Sequence, residues 1–179
     1  MRWLLVLLVG GVGLASAADL ESRALTHYVP QDLLETIVRK EGWTEIVLKP
    51  YNGVRKGDIV RVWAGGMIDR GGGDAPGINV AGPIGGDVGP MGVQAAKLSL
   101  SANPKHACAI LFKTDDDVPH ACQPTGKPLQ IPLKKDGARL WIGFNDEKGA
   151  FMDNHLGKGR RHELDPAWVR IEVIRMIVD

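Results

Sequence analysis

The chain has 179 residues, with 22 Lys and Arg against 21 Asp and Glu, and 44% of it is hydrophobic. That length suits one domain with a full core. The near-neutral balance excludes a general electrostatic pull towards nucleic acid or an anionic membrane surface.

Met1-Arg2-Trp3, the apolar run Leu4 to Leu14 and then Ala15-Ser16-Ala17 have the pattern of a secretory signal peptide over residues 1–17. The run is too short for a stable membrane span, and no Cys follows it to carry a lipid. The expected mature protein starts at Ala18 or Asp19, is exported to the periplasm or beyond, and keeps no membrane span.

Residues 18–42 read as an arm and a short helix, and residues 43–179 as a β-sandwich domain. Residues 18–29 show no clear period. Leu33, Leu34, Ile37 and Val38 recur at helical spacing between Pro30, a good first-turn residue, and Gly42, a good stop. A strand over Leu34 to Val38 is the competing reading.

Beyond Gly42 the period changes to two. Thr44 to Leu48 and Asp58 to Ala64 read as strands, the latter with Val60, Val62 and Ala64 on one face and Ile59, Arg61 and Trp63 on the other. Gly65 to Gly92 holds eleven of the 23 glycines, with Pro76, Pro83 and Pro90, which speaks against a regular helix or central strand. No phosphate-binding motif accompanies these glycines, so a binding loop is the expectation there. Val93 to Leu100, Ala107 to Lys113, Leu129 to Leu133, Ala138 to Phe144 and Val169 to Val173 complete the strand set. Asp115-Asp116-Asp117 reads as a solvated hairpin turn, and Lys158 to His162 as a basic turn. Many short strands, Gly/Pro turns and little helix predict an all-β fold, a β-sandwich or jelly roll with a short N-terminal helix.

Cys108 and Cys122 flank the Asp115 turn at similar distances, and in an exported chain an even count predicts a disulfide. Each lies in the same tripeptide, His106-Ala107-Cys108 and His120-Ala121-Cys122, so a His/Cys metal site and free thiols stay open beside the bridge.

The densest chemistry lies in Phe144 to Gly157. Asp146, Asp153 and Asn154 fall within nine residues, and oxygen donors crowded on one loop without Cys suit calcium. An ordinary turn built from the same residue types is the plainer alternative.

Three segments carry a resemblance to the bacterial galactophilic lectins of the LecA type. They are Lys56-Gly57-Asp58 to Gly65, Ala107-Cys108-Ala109 to Lys113, and Phe144-Asn145-Asp146 through Asp153-Asn154 to Gly157. The resemblance covers roughly residues 54–179. It implies a galactose-binding-domain-like sandwich with one calcium ion, itself bound by two sugar hydroxyls. It also implies the ligands: main-chain carbonyls of Asp69 and Ala150, the Asp146 carboxylate, and side-chain oxygens of Asp153 and Asn154. His155, beside Asn154, is a candidate ligand contact. The family has Asn where this chain has Asp153, and its sugar-contacting His and Gln have no counterpart in Gly71 to Gly92.

The expected function is therefore calcium-dependent binding of a galactose-like carbohydrate, without catalysis. The alternative is an envelope interaction protein in which calcium is structural and the partner is a protein. Neither reading fixes the oligomeric state. An enzyme is the third reading: Gly-x-Ser-x-Gly and His-Glu-x-x-His motifs are absent, but paired carboxylates such as Glu147 and Asp153 have the chemistry for acid/base hydrolysis.

Overall fold

A computed structural model describes residues 23–48, 53–69, 78–79, 97–103, 106–115, 117–122, 127–156, 158–159, 162–163 and 166–175. The expected signal peptide, residues 1–17, and most of the glycine-rich stretch Gly65–Gly92 lie outside this set.

The described chain is all-β, with antiparallel sheets and one helix. The first four-stranded sheet, A, takes strands β1 (Arg23–Tyr28), β13 (Trp168–Arg175), β3 (Ile59–Gly65) and β8 (Leu129–Pro132), in that order. The second, B, takes β2 (Thr44–Ile46), β9 (Leu140–Phe144), β6 (Ile110–Thr114) and β7 (His120–Ala121). Val60, Val62, Ile131, Val169 and Ile171 of sheet A and Ile110, Phe112, Leu140, Ile142 and Phe144 of sheet B belong to one buried hydrophobic cluster. Alternation explains the sheet A half of it: β3 buries Val60, Val62 and Ala64 and leaves Ile59, Arg61 and Trp63 half-buried.

Helix α1 (Gln31–Val38) adds Leu34, Ile37 and Val38 to this cluster. Those residues sit at i, i+3 and i+4, so the helical reading prevails over a strand. Residues 23–28, expected to be part of an arm without clear period, form β1, which pairs with β13 over six residues from Arg23↔Arg175 to Tyr28↔Arg170.

A small third sheet joins β10 (His155–Leu156), β4 (Met67–Asp69) and β5 (Ile78–Asn79). Met67–Asp69 is thus a central strand inside the glycine-rich region, against expectation. The chain reaches it through Gly66, whose φ of +77° and near contact with the Pro166 carbonyl leave no room for a side chain. The basic stretch near residue 160 holds a short hairpin, β11 (Lys158–Gly159) with β12 (His162–Glu163).

Three outward tryptophans carry cations. Lys113 lies over Trp43, Arg139 over Trp141 and Arg170 over Trp63, at 4.8, 5.1 and 4.6 Å from the ring centroids. Trp168 is 40% exposed, and its ring lies against Gly65. No helix among the described residues is long and apolar enough to cross a membrane.

Candidate functional site

The loop between β9 and β10 is held at its two ends by buried asparagines. Asn145, fully buried, accepts the Leu100 and Ser101 N–H groups at 3.0 and 3.1 Å. Its Nδ2 donates to the Ser101 and His106 carbonyls at 3.1 and 2.9 Å. Its own main chain bonds Ala109 and Cys108. All its hydrogen-bonding groups go to residues 100–101 and 106–109, which are thereby stapled to the end of β9. Gly143 makes room beside it, since a Cβ there would meet Leu100 and the Gly42 carbonyl.

At the other end Asn154, also fully buried, directs Nδ2 at three oxygens. These are the Val38 carbonyl at 3.0 Å, Asp146 Oδ2 at 3.2 Å and the Ala150 carbonyl at 3.4 Å. Its Oδ1 is buried and has no hydrogen-bond donor. Asp146 is 4% exposed, and its Oδ1 accepts the Glu147 N–H at 2.8 Å. Asp146, Ala150 and Asn154 therefore meet.

The expected Asp69 donor is brought to the same end of the molecule by main-chain pairing: β4 and β10 are antiparallel, with His155 opposite Asp69. Asp153 is exposed at the turn before Asn154, and Phe151, 3% exposed, anchors the loop from beneath.

Segment 35–41 backs the loop. Glu35 Oε2 accepts the Leu156 N–H at 2.9 Å and Oε1 lies 3.0 Å from His155 Nδ1. Arg39 donates to the Met152 carbonyl at 3.1 Å, and Glu41 accepts the Gly149 N–H at 3.3 Å. None of these contacts was foreseen, because the helix precedes the region that resembles the lectins.

The oxygens gathered around the Asn154 amide are the Asp146 carboxylate and the Val38 and Ala150 main-chain carbonyls. Among the described residues no three His, Cys, Asp or Glu side chains gather as a metal site. A cation at this loop would therefore be a hard one held largely by neutral oxygens, which suits calcium better than zinc or copper.

The other sequence candidates separate. Cys108 and Cys122 are both buried, and no disulfide joins them. Leu111 pairs with Ala121 and Phe112 with His120, and continuing this register sets Cys122 against Ile110 rather than Cys108. Cys108 sits in a turn ahead of β6 with φ +56°. Burial pushes the Cys122 thiol up to about 12, and its S–H points to the Val62 carbonyl at 3.6 Å.

His106 bonds Ser101 Oγ and Asn103 at 3.0 and 3.4 Å. Burial, and then repulsion from His120, lowers its pKa. The acidic turn is a charged hub. Asp115 accepts from the Arg139 main chain and side chain and from Trp141 Nε1, while Asp117 pairs with Lys134 and His120. Burial raises the Asp115 carboxyl, but the bonds from Trp141, Arg139 and Lys135 outweigh it and bring it down to about 2.

No protein-family model, curated protein or solved structure matches the chain.

Proposed function

We propose that the chain is an exported, non-catalytic, calcium-dependent carbohydrate-binding protein on a β-sandwich frame. The observation that carries this reading is the buried Asn154 amide. Its Oδ1 is an acceptor without a donor, in a side chain that touches the Asp146 carboxylate and the Ala150 carbonyl. Leaving such a group unsatisfied costs about 1–3 kcal/mol; a half-turn of the amide brings Oδ1 to the Asp146 and Ala150 oxygens that Nδ2 now faces, and a cation among these oxygens removes that cost. Asp146, Asn154 and the carbonyls of Ala150 and Asp69 would hold the ion, with Asp153 joining from the exposed turn. Calcium takes six to eight oxygens, so it would supply open positions for adjacent hydroxyls of a galactose-like sugar. The resemblance of residues 54–179 to the galactophilic lectins points the same way.

A second reading keeps the calcium as a structural ion and makes the partner an envelope protein. Helix α1 favours it, since Glu35, Val38 and Arg39 bond loop residues between Met152 and Leu156 and leave less of the loop for a ligand.

Calorimetry of calcium into chelator-stripped protein, beside the Asp146→Ala/Asp153→Ala variant, tests the ion. Glycan screening with and without calcium then separates the two readings. Both expect one saturable site that the double variant loses, and a folded wild type that binds no calcium would overturn both. The lectin reading further expects glycan binding only with calcium.

A further inference from the structure

We infer that Glu35 is a positioning residue of the binding site: it fixes the His155 imidazole so that Nε2 is offered to a sugar hydroxyl as a hydrogen-bond acceptor. This inference rests on the carbohydrate-binding reading. Glu35 precedes the lectin-like region, so the resemblance does not assign it a role.

The argument starts from what each atom can do. An ionised carboxylate only accepts hydrogen bonds. Glu35 uses Oε2 for the Leu156 N–H at 2.9 Å, which locks the carboxylate against the main chain of β10. Oε1 is then held 3.0 Å from His155 Nδ1. A neutral imidazole facing that oxygen must carry its proton on Nδ1, so Nε2 keeps its lone pair. Arg39, one turn along the helix at 4.0 Å, steadies Oε1.

The imidazole is 45% exposed, adjoins Asn154 in sequence and lies opposite Asp69 in the sheet. With Nδ1 committed to Glu35 and nearly half of the side chain open to solvent, the ring next to Asn154 in the chain is placed to meet a ligand through Nε2. A hydroxyl of a calcium-held pyranose is a donor of the class such an acceptor takes. Fixing the tautomer in advance removes an ordering cost from binding.

The test uses Glu35→Gln. Its carbonyl still accepts the Leu156 N–H, but its NH2 now donates to Nδ1 and moves the ring proton to Nε2. The side chain of Glu35 is 33% exposed and the helix's buried residues are untouched, so the fold is expected to survive. Nitrogen shifts of the imidazoles, recorded at mildly alkaline pH and assigned with His155→Ala, read the tautomer. Calorimetry reads calcium, and titration with galactose reads the sugar.

The expected result is an Nδ1–H tautomer in the wild type and an Nε2–H tautomer in Glu35→Gln. Calcium affinity should be unchanged, and galactose affinity should fall about tenfold, the worth of one hydrogen bond. His155→Ala should lose the same amount, and Glu35→Gln should add nothing to it. Galactose binding that is indifferent to both variants, or an Nε2–H tautomer in the wild type, overturns this inference alone. A wild type that binds calcium but no sugar overturns the carbohydrate reading and this inference with it.

Discussion

Asn154→Asp is the substitution most sensitive to whether a cation shares the loop. It replaces the Nδ2 that lies 3.2 Å from Asp146 Oδ2 by a second carboxylate oxygen. Two charges at that separation repel by about 5 kcal/mol at an effective dielectric of about 20. Proton uptake caps the cost: holding one carboxyl protonated at pH 7, about three units above its ordinary value, takes about 4 kcal/mol. In chelator the variant should therefore lose about 4 kcal/mol to this repulsion. It also loses the donor to the Val38 carbonyl, a cost present with or without the ion. In saturating calcium the repulsion becomes shared attraction to the cation, and about 4 kcal/mol of the deficit should disappear. Urea unfolding followed by tryptophan fluorescence, in chelator and in calcium, measures both numbers. Asn154→Ala is the control, with a loss from its missing hydrogen bonds that lacks the repulsive part. A deficit for Asn154→Asp that is the same in both buffers, within about 1 kcal/mol, refutes a cation at Asp146 and Asn154.

Three further outcomes follow from the geometry. The depressed Asp115 carboxyl contributes stability that is complete above its ordinary value of 3.8 and is lost as pH falls towards about 2. After allowance for solvent around Lys135 and Arg139, both about half exposed, Asp115→Asn should cost about 1 kcal/mol at neutral pH and flatten the acid limb of a stability–pH curve. Cys108 and Cys122 should be silent to a thiol reagent in the native protein and give two equivalents in denaturant without reductant, whereas a bridge would give none. Gly66→Ala forces an L residue to φ +77° and drives its Cβ into the Pro166 carbonyl, so it should lower stability by about 2–4 kcal/mol in a thermal or urea melt.

Elements with one dry face were legible in the sequence. Val60, Val62 and Ala64 announce β3, and Val169, Ile171 and Val173 announce β13. Leu34, Ile37 and Val38 announce α1. Strand β1 escaped because His27 falls where the alternation asks for an apolar residue, and its six-residue pairing comes from a strand far along the chain. Strand β4 escaped because glycines on both sides masked a three-residue strand, Met67–Asp69, whose order comes from its neighbours β10 and β5.

At the site, Asp146 and Asn154 stood out in the sequence as polar residues of one loop, and the structure brings them into contact through Asn154 Nδ2. The staple made by Asn145 was not legible, because its side-chain partners lie 39 to 45 residues away and an asparagine after a strand looks like any turn residue. The Glu35 contact with His155 spans 120 residues and has no local signature.

The strand order of sheet A also sets a schedule for folding. β13, the latest of its four strands to be made, lies between β1 and β3 and bonds both. Until it appears, β1 has no partner and sheet A has only the β3–β8 pair, whereas every strand of sheet B is present by Phe144. A pairing that joins residue 23 to residue 175 closes late and slowly, because nearly the whole chain is the loop it must close. A chain cut short before Trp168 loses the middle of a sheet rather than an edge. It would expose the inward faces of β3 and β8 as an open invitation to aggregate.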